Sequence, residues 1–182
     1  MKLQLPKGKK RLFVDSSLCL GCKTCELKCA VERNSLSKSL TEAVNEEILP
    51  RPRVYVTFDG SQSMPLQCRQ CEDAPCLEIC STHAIRRDET TGCVIIEGER
   101  CISCWMCVMV CPYGMIAPAV EKKAADKCDQ CFQMPEPHCV GACPTGALQE
   151  LTLEEIEFKL RKRQQLSIEG GSRDAARSAK KY

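Results

Sequence analysis

Large apolar side chains are scarce in this chain of 182 residues, which holds one Trp, three Tyr and four Phe. So little aromatic surface excludes a conventional core, and it excludes the base-stacking platforms that single-stranded nucleic acid binders use. No stretch approaches the roughly 18 uninterrupted apolar residues needed to cross a bilayer, so no direct membrane span is expected. Lys7, Lys9, Lys10 and Arg11 sit where a secretory leader would carry its apolar run, and no twin-arginine pair appears in that segment. The expectation is a soluble, cytoplasmic protein. A Gly-x-Gly-x-x-Gly fingerprint, a P-loop and a catalytic triad are all missing, so no catalytic residue and no nucleotide, flavin or nicotinamide site is nominated. A formal charge of +2 is too small for a nucleic-acid footprint.

What the chain has instead is cysteine, 17 in all. In a short secreted chain that density would indicate disulfides, whereas in a reducing compartment it indicates metal. Sixteen of the seventeen fall into four groups of four. The first, Cys19-x-x-Cys22-x-x-Cys25-x-x-x-Cys29, and the third, Cys101-x-x-Cys104-x-x-Cys107-x-x-x-Cys111-Pro112, carry the bacterial ferredoxin spacing. Two-residue gaps let a tight loop place three thiolates on three corners of a cubane while backbone amides face its sulfides. The fourth cysteine, three residues on, is expected to start a helix pointing away and so to reach a neighbouring cluster.

The second motif, Cys68-x-x-Cys71-x4-Cys76-x-x-x-Cys80, and the fourth, Cys128-x-x-Cys131-x7-Cys139-x-x-x-Cys143-Pro144, lengthen the gap before the third ligand. Pro75, Pro135 and Pro137 lie in the lengthened gaps, where a rigid detour returns the chain to the cluster. Two strict and two expanded motifs read as a duplicated two-cluster unit holding four [4Fe–4S] clusters. A structural zinc protein with a nucleic-acid-binding tail is the competing reading. Zinc takes four thiolates from two Cys-x-x-Cys pairs and leaves the spacing of every third and fourth cysteine unexplained. Loading would move the net charge to roughly −6, because sixteen thiolates outweigh four cubane cores of about +2 each.

Between the motifs, residues Ser39 to Ile48 have helical spacing of Leu40, Ala43, Val44 and Ile48, stopped by Pro50 and Pro52. Val54 to Phe58 alternates and ends at Asp59-Gly60, a strand signal. Shorter strands are expected at Arg11 to Asp15, Ala84 to Arg87, Val94 to Glu97 and Ile116 to Val120, with Asp88 to Gly92 joining a hairpin. Leu151 to Leu166 reads as an amphipathic helix ending at Gly170-Gly171-Ser172. From Lys159 to Tyr182 eight Lys or Arg face Glu169 and Asp174, a basic solvated tail.

On these four motifs, over about Arg11 to Gln149, the chain resembles the four-cluster ferredoxin subunits of the dimethyl sulfoxide reductase, formate dehydrogenase and hydrogenase-linked type. The resemblance implies an α+β fold of two ferredoxin-like modules, short strands and helices around paired cubanes, with a C-terminal helix and tail. It pairs the first motif with the fourth and the second with the third. One cluster would then take Cys19, Cys22, Cys25 and Cys143, and its neighbour Cys128, Cys131, Cys139 and Cys29. A third would take Cys68, Cys71, Cys76 and Cys111, and a fourth Cys101, Cys104, Cys107 and Cys80. Module one would span 11–67 with 121–150, including an insertion at 30–67. Module two would span 68–120, and 151–182 would form the helix and tail.

The stretches Cys29-Ala-Val-Glu-Arg-Asn, Ser37-Lys-Ser-Leu40, Pro50-Arg-Pro-Arg-Val and Cys107-Val-Met-Val-Cys-Pro-Tyr-Gly are similar to the CooF-type partner of carbon monoxide dehydrogenase. That similarity implies an electron carrier, not an enzyme. Its donor would be carbon monoxide dehydrogenase and its acceptor a hydrogenase or a flavin-dependent NAD(P) oxidoreductase. An electron-transfer subunit of a formate dehydrogenase or hydrogenase complex is the alternative. Ala30 and Ser81 stand where proline would follow Cys29 and Cys80. Cys93, the leftover thiol, reads as a small buried hydrophobe, Trp105 as a shield over a cluster, and His83 and His138 as surface or hydrogen-bonding residues.

Overall fold

The computed structural model describes residues 10–165. Its strands are β1 (Arg11–Val14), β2 (Val54–Phe58), β3 (Ser63–Gln67), β4 (Ile85–Arg87), β5 (Val94–Ile96), β6 (Ile116–Ala119), β7 (Ala124–Lys127) and β8 (Leu148–Leu151). The helices are α1 (Thr24–Asn34), α2 (Leu40–Ala43), α3 (Pro75–Glu78), α4 (Met106–Val110) and α5 (His138–Gly141), with α6 over 153–165. Val14–Glu150 form one compact unit that contains every motif cysteine. In the other unit, α6 is opened by a capping box in which the Thr152 amide donates to Glu155 (2.8 Å) and the Glu155 amide to Thr152 Oγ1 (3.3 Å). The basic residues from 166 onward lie outside the described residues.

Three antiparallel hairpins frame the motifs: β2 with β3, β4 with β5, and β6 with β7. The first turns at Asp59, whose carboxylate accepts from the amides of Ser61 (2.8 Å) and Gln62 (2.9 Å), while Gly60 takes φ +97°. The second turns as expected through Asp88–Gly92, held by the Thr91 amide on Asp88 (2.7 Å). The third closes on Lys123, left-handed at φ +48°. Neither β3 nor β7 was expected. Ser63-Met-Pro-Leu-Gln67 and Ala124-Ala-Asp-Lys127 carry no strand pattern of their own and become strands by pairing with β2 and β6.

The helix expected over Ser39 to Ile48 is cut to one turn, α2. Only Ala43 of its apolar stripe is buried, while Leu40, Val44 and Ile48 are exposed, so no packing sustains further turns. Glu46 instead folds back to accept from the amides of Leu36 and Ser37, both at 3.0 Å, and from the hydroxyls of Ser35 and Ser37. Those hydrogen bonds, led by the Ser35 hydroxyl, hold its carboxyl down at about 2.

The aliphatic core is small, as the composition requires. Ala74, Ile85, Val94, Cys107, Ile116 and Ala125 form its buried centre, and Cys71, Cys76, Cys80, Cys111 and Trp105 pack around them. Cysteine itself therefore makes up much of the interior.

Candidate cofactor sites

Each motif begins with a loop whose backbone curls before the second cysteine. Gly21, Gln70, Ser103 and Gln130 occupy that position, and all four are left-handed, with φ of 69°, 51°, 57° and 59°. A non-glycine residue held there costs about 1–3 kcal/mol, which the surrounding structure must offset. The gain is a concave run of amides that suits an anion. In the strict motifs the residue after the second cysteine, Lys23 or Trp105, is left-handed too, and it opens the helix that follows.

Those helices correct one expectation. The fourth cysteine does not start a helix: in each motif the helix begins just before the third cysteine, and the fourth follows four residues later. Cys25 and Cys29 both lie on α1, Cys107 lies on α4 with Cys111 as its C-cap, and α3 and α5 carry Cys76 and Cys139. In the expanded motifs proline sets the start, Pro75 at the first position of α3 and Pro137 at the N-cap of α5. Helix α1 packs on α5 and α3 on α4, which brings the first motif to the fourth and the second to the third.

After the fourth cysteine the chain turns back. His83, Gly114 and Gly146 are left-handed, and their amides donate to Cys80 (3.0 Å), Cys111 (3.2 Å) and Cys143 (3.3 Å) carbonyls. Ser81 thus supports the turn that proline makes after Cys111 and Cys143. Ala30 does not, because α1 runs on past Cys29 to Asn34.

The cysteines of different motifs then meet. Cys19, Cys22, Cys25 and Cys143 line one small cavity with Leu20, Val56 and Leu148. Cys68, Cys71, Cys76 and Cys111 line a second with Val94, Tyr113 and Ile116, and Cys80, Cys101, Cys104 and Cys107 a third with Ile85 and Trp105. Cys29, Cys128, Cys131 and Cys139 are all buried and close enough to disfavour one another's charge. Cys139 also feels Cys25, and Cys107 feels Cys76, so the sites adjoin. Among the described residues no three His, Cys, Asp or Glu side chains converge tightly enough for a single metal ion. Three of the four quartets ring cavities, the arrangement a cubane requires.

Burial pushes the thiols of Cys25 and Cys107 up to about 11 and Cys139 to about 12, and raises Cys128 well above its ordinary range. A cation bound there would draw off these protons, since metal binding takes thiols as thiolates. Toward the surface, hydrogen bonds dominate. The Thr24 hydroxyl lies 3.3 Å from Cys22 and pulls that thiol down. For Cys80 and Cys143 burial is the largest single influence and raises the thiol. It is outweighed by the combined amides of Ile85 and Leu148 and the hydroxyls of Thr82 and Thr145. Other amides point at sulfur from Arg53 to Cys29 (3.2 Å), Met115 to Cys111 (3.4 Å) and Gln130 to Cys128 (3.4 Å).

Trp105 packs against the core cluster and lines the third cavity. His83 is exposed and His138 half-buried at the start of α5. Cys93 is buried ahead of β5, with its sulfur 3.5 Å from Gln130 Oε1. Sequence reasoning missed Gln70, Lys127 and Arg53. The Gln70 amide group donates to the Cys128 carbonyl (2.8 Å) and its oxygen accepts from the Val94 amide (2.7 Å). Arg53 holds Asp126 (2.7 Å) and Asp129 (3.2 Å) beside Cys29. The repeated Cys-x-Gln-Cys at 68–71 and 128–131 was the available signal for the glutamines.

Residues 61–152 match the family described as a 4Fe-4S dicluster domain. The chain is 37% identical to the putative electron transport protein YsaA of Escherichia coli, over 80% of this chain and 92% of that protein. It is 38% identical to the electron transport protein HydN of Escherichia coli, over 84% and 95%. It is 32% identical to a probable anaerobic dimethyl sulfoxide reductase chain, YnfG, over 81% and 75%. Among the described residues no helix is long and apolar enough to cross a membrane.

Proposed function

From the premise that this chain belongs to the 4Fe–4S dicluster family and binds [4Fe–4S] clusters, we propose that it is an electron-transfer subunit whose sixteen motif cysteines hold four of them in a row. The carrying observation is the repeated grouping of three cysteines from one motif with the fourth from its partner. Cys19, Cys22, Cys25 and Cys143 hold the first cluster, and Cys29, Cys128, Cys131 and Cys139 the second. Cys68, Cys71, Cys76 and Cys111 hold the third, and Cys80, Cys101, Cys104 and Cys107 the fourth. The modules 11–67 with 121–150, and 68–120, then each hold two.

When bound, such clusters supply one-electron transfer without any proton or substrate site on the protein. The chain's own residues do the rest. Left-handed loops aim amides at the sulfurs, Thr24, Thr82 and Thr145 place hydroxyls beside Cys22, Cys80 and Cys143, and Trp105 and Leu148 keep water out. Cys22 and Cys104 are exposed, so the row opens to partners at its first and fourth sites.

The donor we assign is carbon monoxide dehydrogenase, and the acceptor a hydrogenase or a flavin-dependent NAD(P) oxidoreductase. The stretches around Cys29, Pro50 and Cys107 support this assignment. Identity of 32% to a probable anaerobic dimethyl sulfoxide reductase chain favours, as a second reading, a subunit of another redox enzyme complex, for which a formate dehydrogenase or hydrogenase is the alternative we carry. Carbon monoxide dehydrogenase with carbon monoxide should bleach the visible absorbance of the anaerobic protein within seconds. Bleaching by formate dehydrogenase with formate instead would transfer the assignment to the second reading.

A further inference from the structure

Lys127 is the one lysine among the described residues that is fully buried, at 4% exposure. Its ammonium donates to the carbonyls of Val94 and Cys128 (3.2 Å for the latter) and lies 3.7 Å from the sulfur of Cys68. The neighbouring carboxylates of Asp126 and Asp129 are held by Arg53 instead. A buried ammonium with carbonyls alone around it is strongly disfavoured, and a nearby negative group is what stabilises it. The cavity lined by Cys68 offers that group, because four thiolates around a +2 core leave about two negative charges.

We propose that Lys127 is the built-in counter-charge of the cluster held by Cys68, Cys71, Cys76 and Cys111, and that it makes this site the most easily reduced of the four. The inference rests on the ligand assignment above. Reduction adds negative charge at the site, and a cation fixed against a ligating sulfur, away from water, favours the reduced state. Arg87 adds to the same sign by donating to the carbonyls of Cys71 (2.9 Å) and Glu72 (2.6 Å). The second site, around Cys29, is held in balance, with Arg33 and Arg53 facing Asp126 and Asp129.

Position gives the charge a further role. Lys127 immediately precedes Cys128 of the fourth motif and reaches Cys68 of the second, while Gln70 of the second motif reaches back to the Cys128 carbonyl. This reciprocal clasp lies where the two pairs of sites join. An electron entering at either exposed end would find its lowest resting place at the third site, one of the two inner ones, so the row holds an electron between partner encounters.

The test is a potentiometric titration of anaerobic Lys127→Met and Lys127→Arg, read by electron paramagnetic resonance beside iron and sulfide content. In Lys127→Met with full iron, one potential should fall so that its reduced-to-oxidised ratio drops tenfold or more at fixed potential, 59 mV for one electron. Lys127→Arg should stay near the parent. Loss of about four irons in Lys127→Met but not in Lys127→Arg would also support the counter-charge. Four unchanged potentials at full iron, or equal effects of both variants, would overturn it. A parent protein with far fewer than about sixteen irons would instead sink the ligand assignment itself.

Discussion

The two strict motifs and the two expanded ones build the same kind of site for different surroundings. At the position after the first cysteine the strict motifs carry Leu20 and Ile102, 72% and 65% exposed, beside exposed Cys22 and Cys104. The expanded motifs carry Arg69 and Asp129 there, and buried glutamines at the next position, Gln70 and Gln130. A short loop suffices where the site faces a partner. A longer loop, its return set by proline, is needed where the site is closed in and must bond to the other module. The internal polar residues belong to the inner sites and the exposed apolar ones to the outer sites.

The sharpest way to break that comparison is to remove a ligand of each kind. Cys128→Ser should abolish stable folding, because it takes a cluster from a quartet that is buried throughout and flanked by raised thiols. Cys104→Ser, at an exposed outer ligand, should leave a soluble protein with about twelve irons. Anaerobic iron analysis with circular dichroism separates the two, and equal damage from both would erase the distinction. Arg53→Ala comes next, since it takes the cation from Asp126 and leaves Asp129 to Arg33 alone in a largely buried network, at a cost of about 3–5 kcal/mol in anaerobic denaturant unfolding.

Gln70→Leu should cost less, about 1–3 kcal/mol, by leaving the Cys128 carbonyl and Val94 amide short of a partner. Leu20→Glu should leave iron content and stability unchanged yet slow electron exchange with one partner by roughly tenfold, ~1.4 kcal/mol in the encounter, while Arg69→Glu should not. Stopped-flow reduction of the two variants checks this. The smallest effect is at Glu46. Its carboxyl is held at about 2, below its ordinary 4.5, so its contribution is complete above about 4.5 and is lost as pH falls toward 2. At neutral pH Glu46→Gln should speed hydrogen exchange at the Leu36 and Ser37 amides and change little else.

The grouping of the cysteines was the most legible part of the sequence. A cubane imposes short-range geometry, and that leaves fixed gaps between cysteines whatever the rest of the chain does. The hairpin β4–β5 and the strand β2 were legible for the same local reason: their residues alternate or branch at Cβ and their turns carry Asp and Gly. Strands β3 and β7 were not, since Pro65 and the Ala124-Ala125 pair become strands only through their partners. The stripe Leu40, Val44 and Ile48 promised a longer helix because periodicity cannot say whether a face will find anything to bury against. Lys127, Gln70 and Arg53 matter through neighbours 24 to 76 positions away, a relation that no local pattern carries.

The most direct test of the account is the iron and acid-labile sulfide content of the full chain purified without oxygen. Sixteen cysteines in four quartets predict about sixteen of each per chain. Zinc without sulfide, or about eight irons with the inner quartets empty, would contradict the four-cluster row.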